Sequence, residues 1–279
     1  MRKTFILLID CNDEKGLIYK ITSILFKYDF NIIRNDEYVS QEDEHFFMRS
    51  EFSGTEDPNV FTEELKQLLP VNANIRITSK EKKNIVILVT KEHHCLSELL
   101  TRIHFNELNA TISAVISNYD ILKDYTEKYQ IPFHHISHEN KEREHHEQEM
   151  IDTIKKYNPH YVVLAKYMRI LTPGFVKNFE NRIINIHHSF LPAFAGANPY
   201  KQAYERGVKI IGATAHFVNN ALDEGPIIAQ SVIPVDHKQD ATSMALAGKD
   251  IEKLVLSNAL QIVLDDKVFV NGNKTIVFD

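Results

Sequence analysis

The N-terminal part of the chain alternates short apolar runs with amphipathic segments in an order typical of one small domain. The predicted elements are a strand at 4–9, a helix at 17–28, strands at 31–39 and 46–52, a helix at 58–69 and a strand at 74–78. This βαββαβ order is that of ferredoxin-like domains, in which two helices cover one face of an antiparallel sheet.

From residue 85 onward, uniformly apolar strands alternate with helical segments. Strands this apolar are typical of a parallel sheet that helices cover on both faces. We therefore predict a doubly wound, mostly parallel α/β domain over residues 84–279, behind a ferredoxin-like domain over residues 1–83. The boundary falls in the polar, charged stretch Ser79 to Asn84. Ligands of doubly wound folds bind beyond the carboxyl ends of the strands, so the polar residues there are the first candidates.

Composition and charge narrow the class of protein. The 279 residues are 43% hydrophobic and 25% charged, as in globular proteins, and this length favours two domains. A formal charge of −6 with scattered basic residues argues against a nucleic-acid partner. The two cysteines, Cys11 and Cys95, form no paired motif, which favours a reducing compartment. Asp10 and Asp13 interrupt the first apolar run, which is too short for a signal peptide or a membrane span, so we expect a cytoplasmic protein.

The chemistry candidates lie at the end of the apolar strand RIINIHH. Asn185 and His187 are two residues apart, so in a strand both side chains point to one face. An amide can stabilise an oxyanion, and an imidazole can transfer protons near neutral pH. Asp223, in a loop ahead of Gly225, could orient or ionise His187. These roles fit acyl-transfer reactions in general, and the alternative is a hydrogen-bonded network without catalysis.

The runs NIHHSFLPAF, GATAHFVNNALDEGPII and LAKYMRIL resemble the folate-dependent formyltransferase family over roughly residues 84 to 279. The resemblance implies that Asn185, His187 and Asp223 are catalytic. It also implies a pocket for the folate pterin, formed on one side by Met168, Arg169, Ile170 and Leu171 and on the other by Asn219, Asn220, Ala221 and Leu222. His216 would lie beside this pocket, either in a binding role or as buried packing.

Two departures from the family pattern favour a branch that uses water as the acceptor. Members with a phosphorylated acceptor cradle its phosphate in a glycine-containing loop after the first strand, whereas Lys91 to Cys95 here read KEHHC. The transferases usually follow the catalytic histidine with proline, whereas this chain has His188. The resemblance thus implies hydrolysis of 10-formyltetrahydrofolate to tetrahydrofolate and formate, which balances one-carbon pools and supplies formate for purine synthesis, with no metal or other cofactor. The alternatives are transfer to an amine acceptor and a folate sensor without turnover.

The run DEKGLIYKITSILFKYDFNII resembles ACT domains, which sense small molecules. The resemblance implies an amino-acid effector, glycine or methionine, at a site that includes Asp13, Gly16, Leu17 and Ile18. It also implies a homo-oligomer, since ACT domains commonly pair across subunits; the alternative is a domain used only for such contacts.

A histidine-rich run, PFHHISHENKEREHHEQE, suggests a metal-binding site. We interpret it as a solvated charged face, because it lacks cysteine and a tetrahedral ligand spacing. Cys95 beside His93 and His94 could be a reactive thiol, but packing at a helix start is the better interpretation.

Overall fold

A computed structural model describes residues 2–193 and 198–279. Two compact units make up these residues. The first unit comprises the chain up to Glu81 together with Asp265–Phe269 and Phe278–Asp279, and the second comprises Lys82–Leu264 and Val270–Val277. The boundary that the sequence predicts between residues 83 and 84 remains a prediction.

The first unit is a four-stranded antiparallel sheet with its helices inserted as the sequence predicts. Its strands lie in the order β2-β3-β1-β4. Its elements are β1 (Lys3–Asn12), α1 (Leu17–Lys27), β2 (Asn31–Ser40), β3 (His45–Gly54), a 3₁₀ turn (Pro58–Phe61), α2 (Thr62–Leu68) and β4 (Asn74–Ser79). The βαββαβ order is confirmed. The helix predicted at 58–69 begins as the 3₁₀ turn, whose first turn Asp57 caps by accepting from the Asn59 N–H.

Aromatic side chains fill the core between the sheet and the helices of this unit. Phe30 packs edge-to-face against Phe52 and Phe61, with ring centroids 5.2 and 5.5 Å apart. On the other face of β3, residues from the end of the chain cover Phe47 and Arg49. The ring centroids of Phe47 and Phe269 are 5.5 Å apart, and Arg49 Nε donates to the Asp266 carbonyl at 2.9 Å.

The second unit is built on a seven-stranded sheet in the order β11-β10-β9-β8-β5-β6-β7. Its elements are β5 (Lys83–Val89), α3 (His94–His104), β6 (Ala110–Ser117), α4 (Lys123–Glu127), β7 (Phe133–His135), α5 (Arg143–Tyr157), β8 (Tyr161–Leu164), α6 (Pro173–Asn178), β9 (Ile183–His187), α7 (Pro199–Arg206), β10 (Ile210–Phe217), β11 (Ile227–Pro234) and α8 (Ala241–Leu264). A short hairpin of β12 (Val268–Asn271) and β13 (Lys274–Val277) follows.

Strands β5 to β9 pair in parallel, β10 pairs antiparallel to β9, and β11 pairs antiparallel to β10. The predicted doubly wound, mostly parallel fold is therefore confirmed. The chain runs from β5 outward to β7 and returns to the other side of β5 as β8, so the strand order reverses between β5 and β8. Ligands of such sheets bind at this reversal, where the carboxyl ends of β5, β8 and β9 lie side by side.

None of the helices within the described ranges is long and apolar enough to cross a bilayer.

Candidate active site

The antiparallel pairing of β9 with β10 collects four polar side chains on one face of the sheet. Asn185 lies directly opposite His216, and His187 lies opposite Thr214. Residues opposite each other in an antiparallel pair share a face, as do residues two apart in one strand. The sequence placed Asn185 and His187 together, and the register adds His216, which the sequence left either beside the pocket or in the core.

Asn185 is held by His216. The Asn185 Nδ2 lies 3.2 Å from His216 Nε2, and His216 Nδ1 lies 2.8 Å from the Phe217 carbonyl oxygen. The carbonyl can only accept, so Nδ1 carries the proton and Nε2 accepts from the Asn185 amide. Burial lowers the pKa of His216, which favours the neutral ring that this arrangement requires. One Nδ2 proton of Asn185 is used in this way, and the second is left to donate to a ligand oxygen.

His187 is held from its other side by Asp223. The His187 Nδ1 lies 3.3 Å from Asp223 Oδ1, and the hydrogen bond with His187 lowers the pKa of Asp223. Nε2 of His187 is buried and has no hydrogen-bond partner among the described residues. A buried ring nitrogen without a partner costs stability, so this atom is a candidate for contact with a reactant. The structure thus brings Asn185, His187 and Asp223 together, while their catalytic roles remain predictions.

The loop that carries Asp223 depends on Gly225. A Cβ atom at residue 225 would lie 1.7 Å from the Phe217 carbonyl oxygen, which is fixed backbone. The Phe217 N–H donates to the Pro226 carbonyl at 2.9 Å, so the loop closes directly on the end of β10. Asp223 itself has a φ of 59°, a left-handed conformation that aspartate tolerates better than most residues. Only glycine allows this close approach, which sets the position of Asp223 against His187.

The residues predicted to bind the pterin lie on two loops. Met168 and Ile170, after β8, and Leu222, after β10, are apolar side chains that are more than half exposed. The Met168 N–H donates to Thr90 Oγ1 at 2.9 Å, which ties the first loop to the end of β5. Arg169 is partly buried and Leu171 packs against the core, so Leu171 could contact a ligand mainly through its backbone. Asn219, Asn220 and Ala221 are exposed.

A buried charged network, which the sequence analysis missed, lies among α3, α7, α8 and the end of β8. Glu252 Oε2 lies 2.7 Å from His94 Nε2 and 3.1 Å from Lys166 Nζ, and Glu252 Oε1 accepts from the Tyr200 hydroxyl at 2.7 Å. Burial opposes ionisation of Glu252, but His94, Lys166 and Tyr200 outweigh it and lower the pKa to about 2. The one available sequence signal was Glu252 itself, a charge at helical spacing from apolar Val255, Leu256 and Ala259.

His188 lies between this network and His187. The His187 and His188 ring centroids are 5.2 Å apart, and the Tyr200 ring lies 6.2 Å from His188 on another side. Burial, followed by the charge of Lys166, lowers the pKa of His188 to about 4. His188 is therefore neutral near pH 7.

One group of metal-ligand types stands out in the described part of the chain, namely His94, Cys95 and Glu252, whose ligand atoms lie within 4.8 Å of one another. Lys166 already neutralises the Glu252 carboxylate, and burial raises the pKa of Cys95, so the thiolate that a metal needs is disfavoured. The interpretation of Cys95 as helix-start packing agrees with its burial in α3.

The histidine-rich run divides into two environments. His145, in α5, is exposed as predicted, but the prediction of a solvated face is wrong for His146. Its side chain is buried, and its Nε2 lies 2.9 Å from the Ile136 carbonyl, because this face of α5 packs on the sheet.

In the first unit, the predicted regulatory residues surround one cavity of about 290 Å³. Asp13, Gly16, Leu17 and Ile18 line it at the start of α1, and Glu37, Tyr38 and Val39 line it from β2. Gly16 has a φ of 93°, a conformation that favours glycine, and it leaves the first N–H groups of α1 without a side-chain cap.

Comparisons with known proteins identify the family. A family model described as formyl transferase matches residues 83–260, and one described as ACT domain matches residues 5–70. A formyltetrahydrofolate deformylase of Haemophilus influenzae is 54% identical over 272 residues, which cover 98% of this chain and 98% of the relative. The chain belongs to the formyltetrahydrofolate deformylase family.

Solved structures separate the deformylases from the transferases. The crystal structure of a formyltetrahydrofolate deformylase from Pseudomonas syringae pv. tomato matches with a TM-score of 0.96 and 39% identity, covering 100% of this chain and 95% of that one. A glycinamide ribonucleotide transformylase from Symbiobacterium toebii matches with a TM-score of 0.69 and 26% identity, covering 74% of this chain and 98% of that one. The deformylases thus match both units, and the membership predicted from the sequence is confirmed.

Proposed function

We propose that this chain hydrolyses 10-formyltetrahydrofolate to tetrahydrofolate and formate, with Asn185, His187 and Asp223 as the catalytic residues. The observation that carries the proposal is the orientation of His187, whose Nδ1 faces Asp223 while its buried Nε2 has no partner among the described residues. Identity of 54% to a formyltetrahydrofolate deformylase over 98% of both chains supports the choice of water over an amine acceptor.

In this mechanism His187 Nε2 accepts a proton from water as the water oxygen attacks the formyl carbon. The ionised Asp223 stabilises the imidazolium that forms, and the second Nδ2 proton of Asn185 donates to the oxyanion. His187 then donates its proton to N10 of the folate and the carbon–nitrogen bond breaks, so that tetrahydrofolate leaves with formic acid, which loses its proton to solvent as formate. The loops around Met168 to Leu171 and Asn219 to Leu222 would hold the pterin, with His216 keeping Asn185 in place.

The test is one incubation of the purified chain with 10-formyltetrahydrofolate and no amine acceptor. Release of formate and tetrahydrofolate supports a hydrolase. A transferase would leave the substrate largely intact until an amine is added, and a sensor would be stabilised by folate without any product.

We expect His187→Ala and Asn185→Ala to fold normally and to lose at least ~10²-fold in turnover, the usual contribution of a proton-transfer group or oxyanion donor. Near-normal formate release from either variant would contradict the assignment.

We further propose that side chains alone carry the reaction, with no metal or other cofactor. The formyl group of the substrate is an amide on an arylamine nitrogen, whose lone pair is partly drawn into the ring, so a base and an oxyanion donor suffice for attack by water. Dialysis against a chelator should leave turnover unchanged, and restoration by an added metal after a loss would refute this proposal.

For the first unit we propose an amino-acid effector, glycine or methionine, in the cavity at the start of α1. The uncapped N–H groups of α1 suit a carboxylate, and Asp13 and Glu37 suit an ammonium group. Titration calorimetry on the full chain should detect binding of one of the two amino acids, and Glu37→Gln should weaken it. Glu56→Gln, an exposed change outside the cavity, is the matched control. Equal binding by both variants and the parent chain would contradict this location.

We propose a homo-oligomer that uses the edge strand β2. Ile33, Tyr38 and Val39 are exposed on this strand, and an unpaired edge with apolar side chains is suited to pairing with another copy. Sedimentation of the full chain should give an oligomer that Val39→Lys dissociates.

We also propose a cytoplasmic location, which the two buried free cysteines support, and a role in balancing one-carbon pools and supplying formate for purine synthesis.

A further inference from the structure

His188 directly follows His187 in the sequence. It is a polar side chain, and the mechanism above gives it no role. Its ring lies 5.2 Å from the His187 ring between centroids, with the two planes at 38°. It is partly buried, and the polar groups of the neighbouring Glu252 network bond to one another within the described part of the chain. A polar ring in this position is able to bind a small polar reactant beside His187.

The charged and polar groups around His188 already have interaction partners among themselves. Glu252 of α8 interacts with His94 and Tyr200 through hydrogen bonds and with Lys166 through an ion pair. Asp223 and His187 face each other on the other side. The anions near His188 therefore have closer partners, and none of them is left to hold its ring. The imidazole remains available to a reactant.

We propose that His188 is a positioning residue that holds the hydrolytic water for attack on the formyl carbon, an inference that rests on the function proposed above. A pocket can hold a water molecule only through hydrogen bonds to its two protons and its two lone pairs. His187 Nε2 can accept one proton, which fixes the distance of the water but not its direction. A second hydrogen bond from His188 would fix the direction and occupy the space that an amine acceptor needs.

The protonation state of His188 suits this role. Burial lowers the pKa of His188 most. Lys166 and His187 lower it further, whereas Glu252 and Asp223 raise it. The resulting pKa of about 4 leaves the ring neutral, with one nitrogen that donates and one that accepts. A cationic ring could only donate, and it would raise the cost of protonating His187 next to it.

The experiment compares His188→Ala, His188→Gln and the control His135→Ala, an exposed histidine of β7, with the parent chain. Each is assayed for kcat and KM, and for the division of formyl groups between formate and added hydroxylamine. In His188→Ala we expect kcat to fall about 10- to 100-fold with KM changed less than about threefold, because misplacing a reactant costs rate more than binding. The fraction captured by hydroxylamine should rise several-fold, and His188→Gln should recover part of both effects.

A pH profile separates positioning from proton transfer. Because His188 is neutral from about pH 5 upward, its loss should lower kcat without changing the shape of the profile between about pH 5.5 and 8. NMR of ¹³C-labelled histidine in the full chain should show no titration of His188 in this range.

Unchanged kcat and unchanged partition in His188→Ala would overturn the inference while leaving the proposed function intact. Titration of His188 near pH 6.5, or equal defects in the alanine and glutamine variants with normal partition, would also overturn it. A parent chain that releases no formate would overturn the proposed function first, and the inference with it.

Discussion

At the scale of single residues, the pair Asn185 and His216 shows how the site fixes an amide that could otherwise rotate. A terminal amide has two orientations of similar shape that differ only in which atom donates. The proton on His216 Nδ1 goes to the Phe217 carbonyl, so Nε2 can only accept, and Asn185 must present Nδ2. The oxyanion donor is thus set by a histidine that need not touch the substrate.

We predict that His216→Ala lowers kcat about 10- to 100-fold, because the Asn185 amide loses the acceptor that orients it. KM should change little, since the pterin loops keep their backbone contacts. Steady-state kinetics with circular dichroism as the folding check would measure this, and His135→Ala serves as the control. A His216→Ala variant with normal kcat would show that Asn185 keeps its orientation without the histidine.

The residues of the site differ in how far the sequence could predict them. Asn185 and His187 could be found because spacing within one strand decides which face they share. The contact between Asn185 and His216 depends on the register of β9 against β10, which no local pattern fixes. Lys166 and Glu252 meet only through the order of the strands and the packing of α8, so their pairing required the structure.

At the scale of elements, the loop between β10 and β11 combines two fixed ends with an exposed middle. Its start is tied by the Val218 N–H to the Ile183 carbonyl at 2.9 Å, and its end by the close contact of Gly225 with Phe217. Asn219 to Leu222 lie between these ends and are exposed. The loop can therefore adapt to a ligand in its middle while Asp223, near its rigid end, keeps its distance from His187.

We predict that Gly225→Ala destabilises the protein by about 1–3 kcal/mol or more, because the new methyl group overlaps a backbone oxygen that cannot move away. Turnover should fall with it, since relieving the overlap displaces Asp223. Urea unfolding and the formate assay measure the two effects. Gly174→Ala in α6 is the matched control, because its Cβ would have an ordinary 3.6 Å contact with Thr172 Oγ1. Equal stability of the two variants would contradict this account.

Helices of several turns could be predicted from the sequence, and the shortest helices could not. α4 and α6 span 5 and 6 residues, too few for a helical period to appear in the pattern. α8 has 24 residues and repeats its apolar face several times, so its helical period is long enough to appear in the sequence pattern. Element order gave the fold class, whereas the position of β8 beside β5 is a property of the folded sheet.

At the scale of the whole molecule, several buried or partly buried histidines link stability to pH. Burial lowers the pKa of His134, His146 and His216 below the ordinary value of 6.5. A histidine with a lowered pKa binds fewer protons in the folded state than in the unfolded state. Its contribution to stability is therefore complete above about pH 6.5 and is lost as pH falls through that value toward the folded pKa.

We predict that the free energy of unfolding falls between pH 7 and pH 5 and that His146→Gln reduces this fall. The glutamine amide can still donate to the Ile136 carbonyl but does not titrate, so the variant loses one of the groups that bind protons on unfolding. Urea titrations at several pH values would measure the slope, with His145→Gln, an exposed change on the same helix, as the control. An identical slope for the parent chain and His146→Gln would rule out this linkage.

The packing of Phe47 and Arg49 against the last residues of the chain bears on how the two units can be exchanged between genes. A fragment that stops after β4 would lack Phe269 and the Asp265 and Asp266 carbonyls, so an aromatic ring and a buried guanidinium would face water. Recombination near residue 83 would therefore have to carry residues 265–269 together with the segment up to Glu81. The first unit is therefore inherited intact only where both of its segments are kept, although they are far apart in the sequence.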